Sequence, residues 1–426
     1  MTTNDPIEFE SRVARLHNRQ GAFVRRRVDV DRWVHPARVQ ITDLDVLTFQ
    51  FGPDLSLLRT IIECKTGHSR SAPSEIDRML WLIGLMRMSG ADRAELVIMR
   101  QAPPKVREVG VELGVLVQDI ADIERRENLI GIGRDQAWGS HDPAFQSHEA
   151  AIRAITKTDE ELTRAYWFLR SEFWHAPSSL GLKRALTVVE LISHRWANEK
   201  DAGRRRALGW LVGDALVAFS VSAVTLAARA VTMPLTEFRV QLLNRLSEGA
   251  APIGEMSRLS KAIDAYVTGL LRQYDVPPSE IVKSMGAFEP TPPEYADSLL
   301  EVLERLAERP TAARHVPLVL DLVVAYRIRR REWQLPDFKL WQVFNPAPTM
   351  ALIKLMLVFL RSVVQLPPEF AGLLSERPIG GPDPLTSNQH STSPVNSAIP
   401  LADGDTRQET LKLIDSQRVN QERSEP

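Results

Sequence analysis

The residues with the clearest capacity for chemistry sit in two short stretches, TDLDVL (42–47) and TIIECKTG (60–67). The second is a β-branched, apolar run that suits a buried strand, and it ends in Glu63, Cys64 and Lys65. Strand side chains alternate faces, so Glu63 and Lys65 project from one side. Two opposite charges there are costly to bury unless something pairs with them. The first stretch carries Asp43 and Asp45. The turn signal GPD (52–54) joins the two stretches as a hairpin, which sets an Asp of one strand beside the Glu of the next. Adjacent carboxylates repel, and a hard cation between them relieves the repulsion. Mg²⁺ takes one or two carboxylates together with water and a phosphate oxygen. A lysine at that place can orient or deprotonate a water, or stabilise charge developing on a phosphate. The chemistry these groups would support is metal-assisted phosphodiester hydrolysis. Asp43 and Asp45 are both candidates for that carboxylate, the other being its solvated neighbour.

The elements that must position them read as follows. FESRVARLHNRQG (9–21) has the spacing of an amphipathic helix stopped by Gly21. AFVRRRVDV (22–30), ITDLDVLTFQF (41–51) and LSLLRTIIECK (55–65) read as three successive strands. After a loop at 66–74, Pro73 and Ser74 open a strong helix over 75–90, closed by Gly90. AELVIMR (94–100) is a strand, 103–114 a helix, 115–119 a strand and 120–127 a short helix. The order α-β-β-β-α-β-α-β predicts an α/β domain over residues 1–130, a mixed central sheet flanked by helices. From 131 to 375 the periodicity is almost entirely helical and broken by prolines, which predicts a mostly α-helical domain. Residues 376–426 are rich in Pro, Ser and Gly, and are expected to form a disordered tail. Within the tail, 411–419 has the pattern of a transient, partner-binding helix.

Composition narrows the function classes. The 426 residues carry a formal net charge of −1, so no global basic excess advertises nucleic acid and any such surface must be local. The single cysteine, Cys64, excludes an intramolecular disulfide and a Cys-rich zinc site, and fits a reducing compartment. The N-terminus has no apolar h-region, so a cytoplasmic protein without a signal peptide is expected. Residues 207–231 are long and apolar enough to be weighed as a membrane span. Asp214 within them, and their many small residues, favour a buried core helix instead.

Asp45, Glu63 and Lys65, read as D…E-x-K after a helix bearing an acid, resemble the PD-(D/E)xK nuclease superfamily. The pattern is closest to Mrr-type restriction endonucleases and archaeal Holliday-junction resolvases. FESRVARLHNRQGAFVRRRV resembles their opening helix and first strand, DLDVL their Asp-bearing strand, IIECKTG their E-x-K strand, and KVREVGVELGVLVQD their late helix and strand. The likeness spans about residues 8 to 127. It implies a restriction-endonuclease-like fold that hydrolyses nucleic acid, DNA above all, with Mg²⁺ or Mn²⁺, in host defence or DNA repair. It also implies that Asp45 and Glu63 bind the metal with the Cys64 carbonyl, that Lys65 serves the attacking water, and that Glu10 is the acid on the opening helix, with Glu8 nearby. Two features depart from the pattern: Leu44 stands where the family name has Pro, and the Gln often found near the E-x-K strand is missing. The alternative is a catalytically silent relative that binds nucleic acid or a protein partner, the latter through the helical domain or tail.

Other signals are weaker. Arg25, Arg26 and Arg27 read either as phosphate contacts or as the wet face of a strand. Arg170 and His175 match the R-x4-H spacing of HEPN ribonucleases, yet Phe173 and Trp174 beside them suggest packing. Arg327, Arg329, Arg330 and Arg331, with Trp333 and Lys339, form a basic run that is either a solvated face or a nucleic-acid contact. The nine tryptophans are expected to be core anchors. No Walker loop, HExxH or GxSxG motif is present.

Overall fold

The computed structural model describes residues 5–34, 37–67, 73–130, 145–247, 253–274, 291–329, 346–367 and 370–372. The expected tail and the run from Arg330 through Lys339 lie outside these residues, as does most of the loop read at 131–145. Helix α1 (Pro6–Arg19) precedes strands β1 (Phe23–Val34), β2 (Ala37–Phe51) and β3 (Leu57–Lys65). Then come α2 (Glu75–Ser89), β4 (Arg93–Ile98), α3 (Pro104–Leu113), β5 (Val115–Asp119) and α4 (Ile120–Ile130). This is the order read from the sequence. The strands form one five-stranded sheet in the order β1-β2-β3-β4-β5. The first three pair antiparallel as hairpins, and β3, β4 and β5 pair parallel across the helical crossovers α2 and α3. The fold is therefore the mixed α/β sheet that the order predicts, followed by a mostly helical region.

Local chemistry explains the element ends that bear on the site. Asp5 caps α1 by accepting the Ile7 N–H at 2.9 Å, with Pro6 at the first helical position. Ser74 and Asp77 form a reciprocal capping box at the start of α2, and Gly90 ends that helix at φ 67°, a left-handed turn that suits glycine. This box fixes where α2 leaves the end of β3.

The sheet is buried on both faces. On one side Val24, Val46, Ile62 and Val97 pack with Phe9, Val13 and Leu16 of α1 and Ile123 of α4. On the other, Phe23, Leu47, Phe49, Ile61, Leu96 and Ile98 open a core that continues without a break into the helical region. That region comprises α5 (Phe145–Thr156), α6 (Glu160–Trp167), a π-helical turn at Phe168–Glu172, and α7 (Phe173–His175). It continues with α8 (Ser178–Asn198), α9 (Ala202–Thr232), α10 (Leu235–Ser247), α11 (Ile253–Gln273), α12 (Ala296–Glu308), α13 (Pro310–Ala313), α14 (Val316–Arg327) and α15 (Pro346–Val363). Trp174 anchors it to the sheet, with its ring 6.0 Å from Phe23 and 5.5 Å from Phe49, and its indole N–H on the Leu169 carbonyl. This is the core role expected of a tryptophan.

Helix α9 is the one described helix long and apolar enough to cross a membrane by length and composition, and 89% of its most apolar window is buried inside the protein. It is the central helix of the core. Gly213 lets α14 approach it closely, since a Cβ there would meet Val324 Cγ1 at 2.7 Å.

Candidate active site

The site is built where β2 loses its regularity. The β2–β3 ladder closes at Val46↔Ile62, so Asp45 comes opposite Glu63 just beyond the last paired residues. In a regular strand Leu44 and Val46 would share a face. Here Leu44 belongs to the core shared with the helices, while Val46 belongs to the core under α1. The strand therefore turns over at Asp45. On β1 the residue opposite is Arg27, which is skipped in the register between Arg26↔Val46 and Val28↔Leu44 and has φ 52°. A long side chain in that region costs on the order of 1–3 kcal/mol and persists only where its surroundings hold it. Arg27 Nε donates to Glu10 Oε2 at 3.1 Å.

Three elements deliver acids to this point. Asp45 comes from β2, and its Oδ2 accepts the Cys64 N–H at 2.7 Å, which ties it to the end of β3. Glu63 and Lys65 lie on the face of β3 that looks toward α2, alternating with Cys64, whose side chain packs in the core under α1. Glu10 comes from α1, is buried, and accepts from Arg26 Nη2 at 2.8 Å. The opening helix thus supplies a buried, paired acid rather than a surface charge.

The electrostatics follow from this crowding. Burial first, and then the Glu63 charge, push the Asp45 carboxyl up to about 8, against the pull of the Cys64 N–H. Burial also raises Glu63, opposed by Arg78 and reinforced by Asp43 and Glu10. The Cys64 thiol is pushed well above its ordinary value by burial and by the same acids. A thiol in that state is a poor nucleophile.

Two neighbours had not been picked out in the sequence. Arg78 Nη1 lies 3.1 Å from Glu63 Oε1. Glu75 Oε1 lies 3.4 Å from Lys65 Nζ and is also ion-paired with Arg100, while Lys65 Nζ donates to the Pro73 carbonyl at 2.8 Å. Glu75 and Arg78 are three apart in the first turn of α2, so they share a face. That i, i+3 pair directly after the E-x-K strand was the available signal.

Among the described residues no group of three or more His, Cys, Asp and Glu side chains forms a metal ligand set by itself. Two carboxylates that disfavour each other's ionisation nevertheless suit a hard cation, which fills the rest of its sphere with water and phosphate oxygen. The donor set fits Mg²⁺ or Mn²⁺ and lacks the sulfur and imidazole ligands of a zinc site. Cys64 would contribute only its carbonyl, on the residue whose N–H already holds Asp45.

The weaker sequence signals resolve differently. Arg25 and Arg26 are buried and ion-paired, Arg25 with Asp214 at 2.9 Å and Arg26 with Glu10, so they are neither a wet face nor phosphate contacts. Arg170 Nε sits 3.3 Å from Glu149 Oε1 and 3.7 Å from Asp29 Oδ2 of β1, and His175 Nε2 lies 3.3 Å from the Asp29 carbonyl. Both are engaged in holding the helical region to β1. Arg327 and Arg329 are buried, with Arg329 Nη2 2.7 Å from Asp214 Oδ1. This part of the basic run is therefore interior rather than solvated.

No protein-family model matches the chain, and neither the curated proteins nor the solved structures contain a significant match.

Proposed function

We propose that the chain is a metal-dependent nuclease of the PD-(D/E)xK type that acts on DNA, with its site at the shared end of β2 and β3. One observation carries this reading: Asp45 and Glu63 meet across the end of the β2–β3 ladder, with Lys65 on the same face of β3 as Glu63. Asp45 and Glu63 would hold Mg²⁺ or Mn²⁺. Bound there, such an ion would polarise a phosphate oxygen and lower the pKa of a coordinated water. Lys65, held by Glu75 and the Pro73 carbonyl, would orient the attacking water and stabilise charge building on the phosphate. Arg78, released from Glu63 once that carboxylate has another cation, would be free to pair with a phosphate oxygen. Glu10 acts through Arg26 and Arg27 to hold the turned-over strand in place.

A catalytically silent nucleic-acid-binding or partner-binding protein is the second reading. The observation favouring it is that Glu63 and Lys65 already have internal partners in Arg78 and Glu75. Cleavage assays separate the two. The nuclease should cut DNA with Mg²⁺ or Mn²⁺ and stop in EDTA. Asp45→Asn and Glu63→Gln should each lower the rate by about 10³-fold or more, roughly 4 kcal/mol of transition-state stabilisation. Cutting by both variants at the wild-type rate would remove the site assignment. DNA binding by the wild type without any cutting would establish the silent reading.

A further inference from the structure

A cavity of about 260 Å³ lies between the end of α8 and the first turns of α9, with Ile328 and Phe370 also on its wall. Its chemistry is the reverse of the acid cluster. Arg205, Arg206 and Arg327 line it, and among the described residues no carboxylate does. Arg205 and Arg206 are four and three residues before Gly209, so both lie on the face of α9 that carries Gly209. Arg205 and Arg206 are exposed, and neither has a carboxylate partner among the described residues. The acids nearest in sequence are occupied: Glu199 pairs with Arg204 at 3.0 Å, and Asp201 caps α9 through the Arg204 N–H. The aromatic component is equally defined. The Arg205 guanidinium lies over the Trp196 ring at 4.3 Å, and Phe370 meets that ring edge-on at 5.7 Å.

Such a cavity suits a ligand that is anionic at one end and flat at the other. Guanidinium groups are the preferred partners of phosphate oxygens. Tryptophan and arginine planes are the usual platforms for a nucleobase. We propose that this cavity binds a nucleotide, with its phosphates on Arg205 and Arg206 and its base against the Trp196–Arg205 stack. The nucleotide could be free in solution or the end of a nucleic-acid strand, since both present the same groups. The inference does not depend on the nuclease reading.

The test is isothermal titration of the full chain in EDTA, which keeps metal-mediated binding at the carboxylates out of the measurement. The probes are ATP, tripolyphosphate, adenosine and a 5′-phosphorylated oligonucleotide. ATP or the oligonucleotide should bind, and whichever binds identifies the source. Tripolyphosphate and adenosine should each bind at least about tenfold more weakly than ATP, because each lacks half of the ligand; if only the oligonucleotide binds, its 5′-hydroxyl form should bind at least about tenfold more weakly. Arg205→Ala/Arg206→Ala changes only exposed side chains, so its melting temperature should match the wild type while its affinity falls about tenfold or more. Trp196→Phe, which retains a ring, should weaken binding less than the double arginine variant does. Absence of binding by both ATP and the oligonucleotide, or unchanged affinity in the double variant, would overturn the proposal.

Discussion

Two groups of buried acids in this molecule have opposite surroundings. Asp214, in the middle of α9, sits between Arg25 and Arg329 at 2.9 and 2.7 Å. Burial alone would raise its pKa, yet the two guanidinium groups outweigh that and hold it below the ordinary carboxylate range. Asp321, in the same cluster but 3.9 Å from Arg329, is raised by burial to about 6, only partly offset by the arginines. At the end of β2, Asp45 has Glu63 for a neighbour and, among the described residues, a backbone N–H as its only direct partner, so burial and the Glu63 charge raise it to about 8. Asp45 is less deeply buried than Asp214 or Asp321, so the sign of the neighbours, not depth, sets the difference. Where acids and arginines balance, as with Arg25 and Arg329 against Asp214 and Asp321, the cluster joins the sheet to the helices. Where Asp45 meets Glu63 with no cation of its own among the described residues, the carboxyl holds its proton far above the ordinary range. Such sites are candidates for function.

The strongest way to break this contrast is to remove the central acid of the balanced cluster. Asp214→Leu would leave Arg25 and Arg329 buried without their shared partner. Breaking one side of a buried ion pair costs roughly 3–5 kcal/mol. Urea denaturation should show a loss of that order, or the variant should fail to accumulate as folded protein. A loss below about 1 kcal/mol would mean that the arginines find other partners and that the cluster is not what ties the sheet to α9.

The unbalanced cluster should respond in the opposite direction. In the unfolded chain an Asp titrates near 4. Between about pH 4 and pH 8 folded Asp45 keeps a proton that the unfolded chain has released, so its contribution makes stability fall as pH rises through that window. Below the window the penalty is absent, and above it the penalty is complete. Asp45→Asn carries no such charge. Its stability relative to wild type should therefore grow with pH, reaching on the order of 2 kcal/mol near pH 8, with the partial exposure of Asp45 keeping the gain below the full value of the shift. Mg²⁺ should stabilise the wild type more at pH 8 than at pH 5 and leave Asp45→Asn nearly unaffected. Parallel stability profiles for the two proteins from pH 4 to 8 would remove the electrostatic half of the contrast.

The sequence carried the order of elements through α4, because strand and helix periods are strong there and Gly21, Gly90 and the Ser74 cap punctuate them. It also carried Asp45, Glu63 and Lys65, because their relation is local: a hairpin and an alternation of faces. Relations between distant segments were not legible. Arg25 and Arg26 look like the wet side of a strand until Asp214 and Glu10 are brought to them by the fold. Arg329 reads as part of a surface run because its partner lies on another helix. β1 and β2 run several residues past their expected ends, to Val34 and from Ala37, because each pairs with the other and so needs little strand preference of its own. The turned-over backbone at Arg27 and Asp45 has no signature either, since an arginine at positive φ is stabilised by Glu10 rather than by its own preference.

The smallest expected effect concerns Cys64, which stands between the two residues assigned to chemistry. Its side chain points to the core under α1, away from the face that carries Glu63 and Lys65. Its thiol is held well above the ordinary value by burial, with Asp45, Glu10 and Glu63 adding to it. Its backbone N–H, which no side-chain substitution removes, is what holds Asp45. Cys64→Ser should therefore cleave within about threefold of wild type. Its cost should be about 1 kcal/mol of stability, from a hydroxyl placed where a weakly polar thiol had packed. Native wild-type protein should react with iodoacetamide far more slowly than the urea-unfolded chain, because the thiolate is both rare and covered. If Cys64→Ser were inactive while Lys65→Ala cut normally, the chemistry would belong to the thiol. The contrast between balanced and unbalanced acids would then describe the stability of the fold and not its activity.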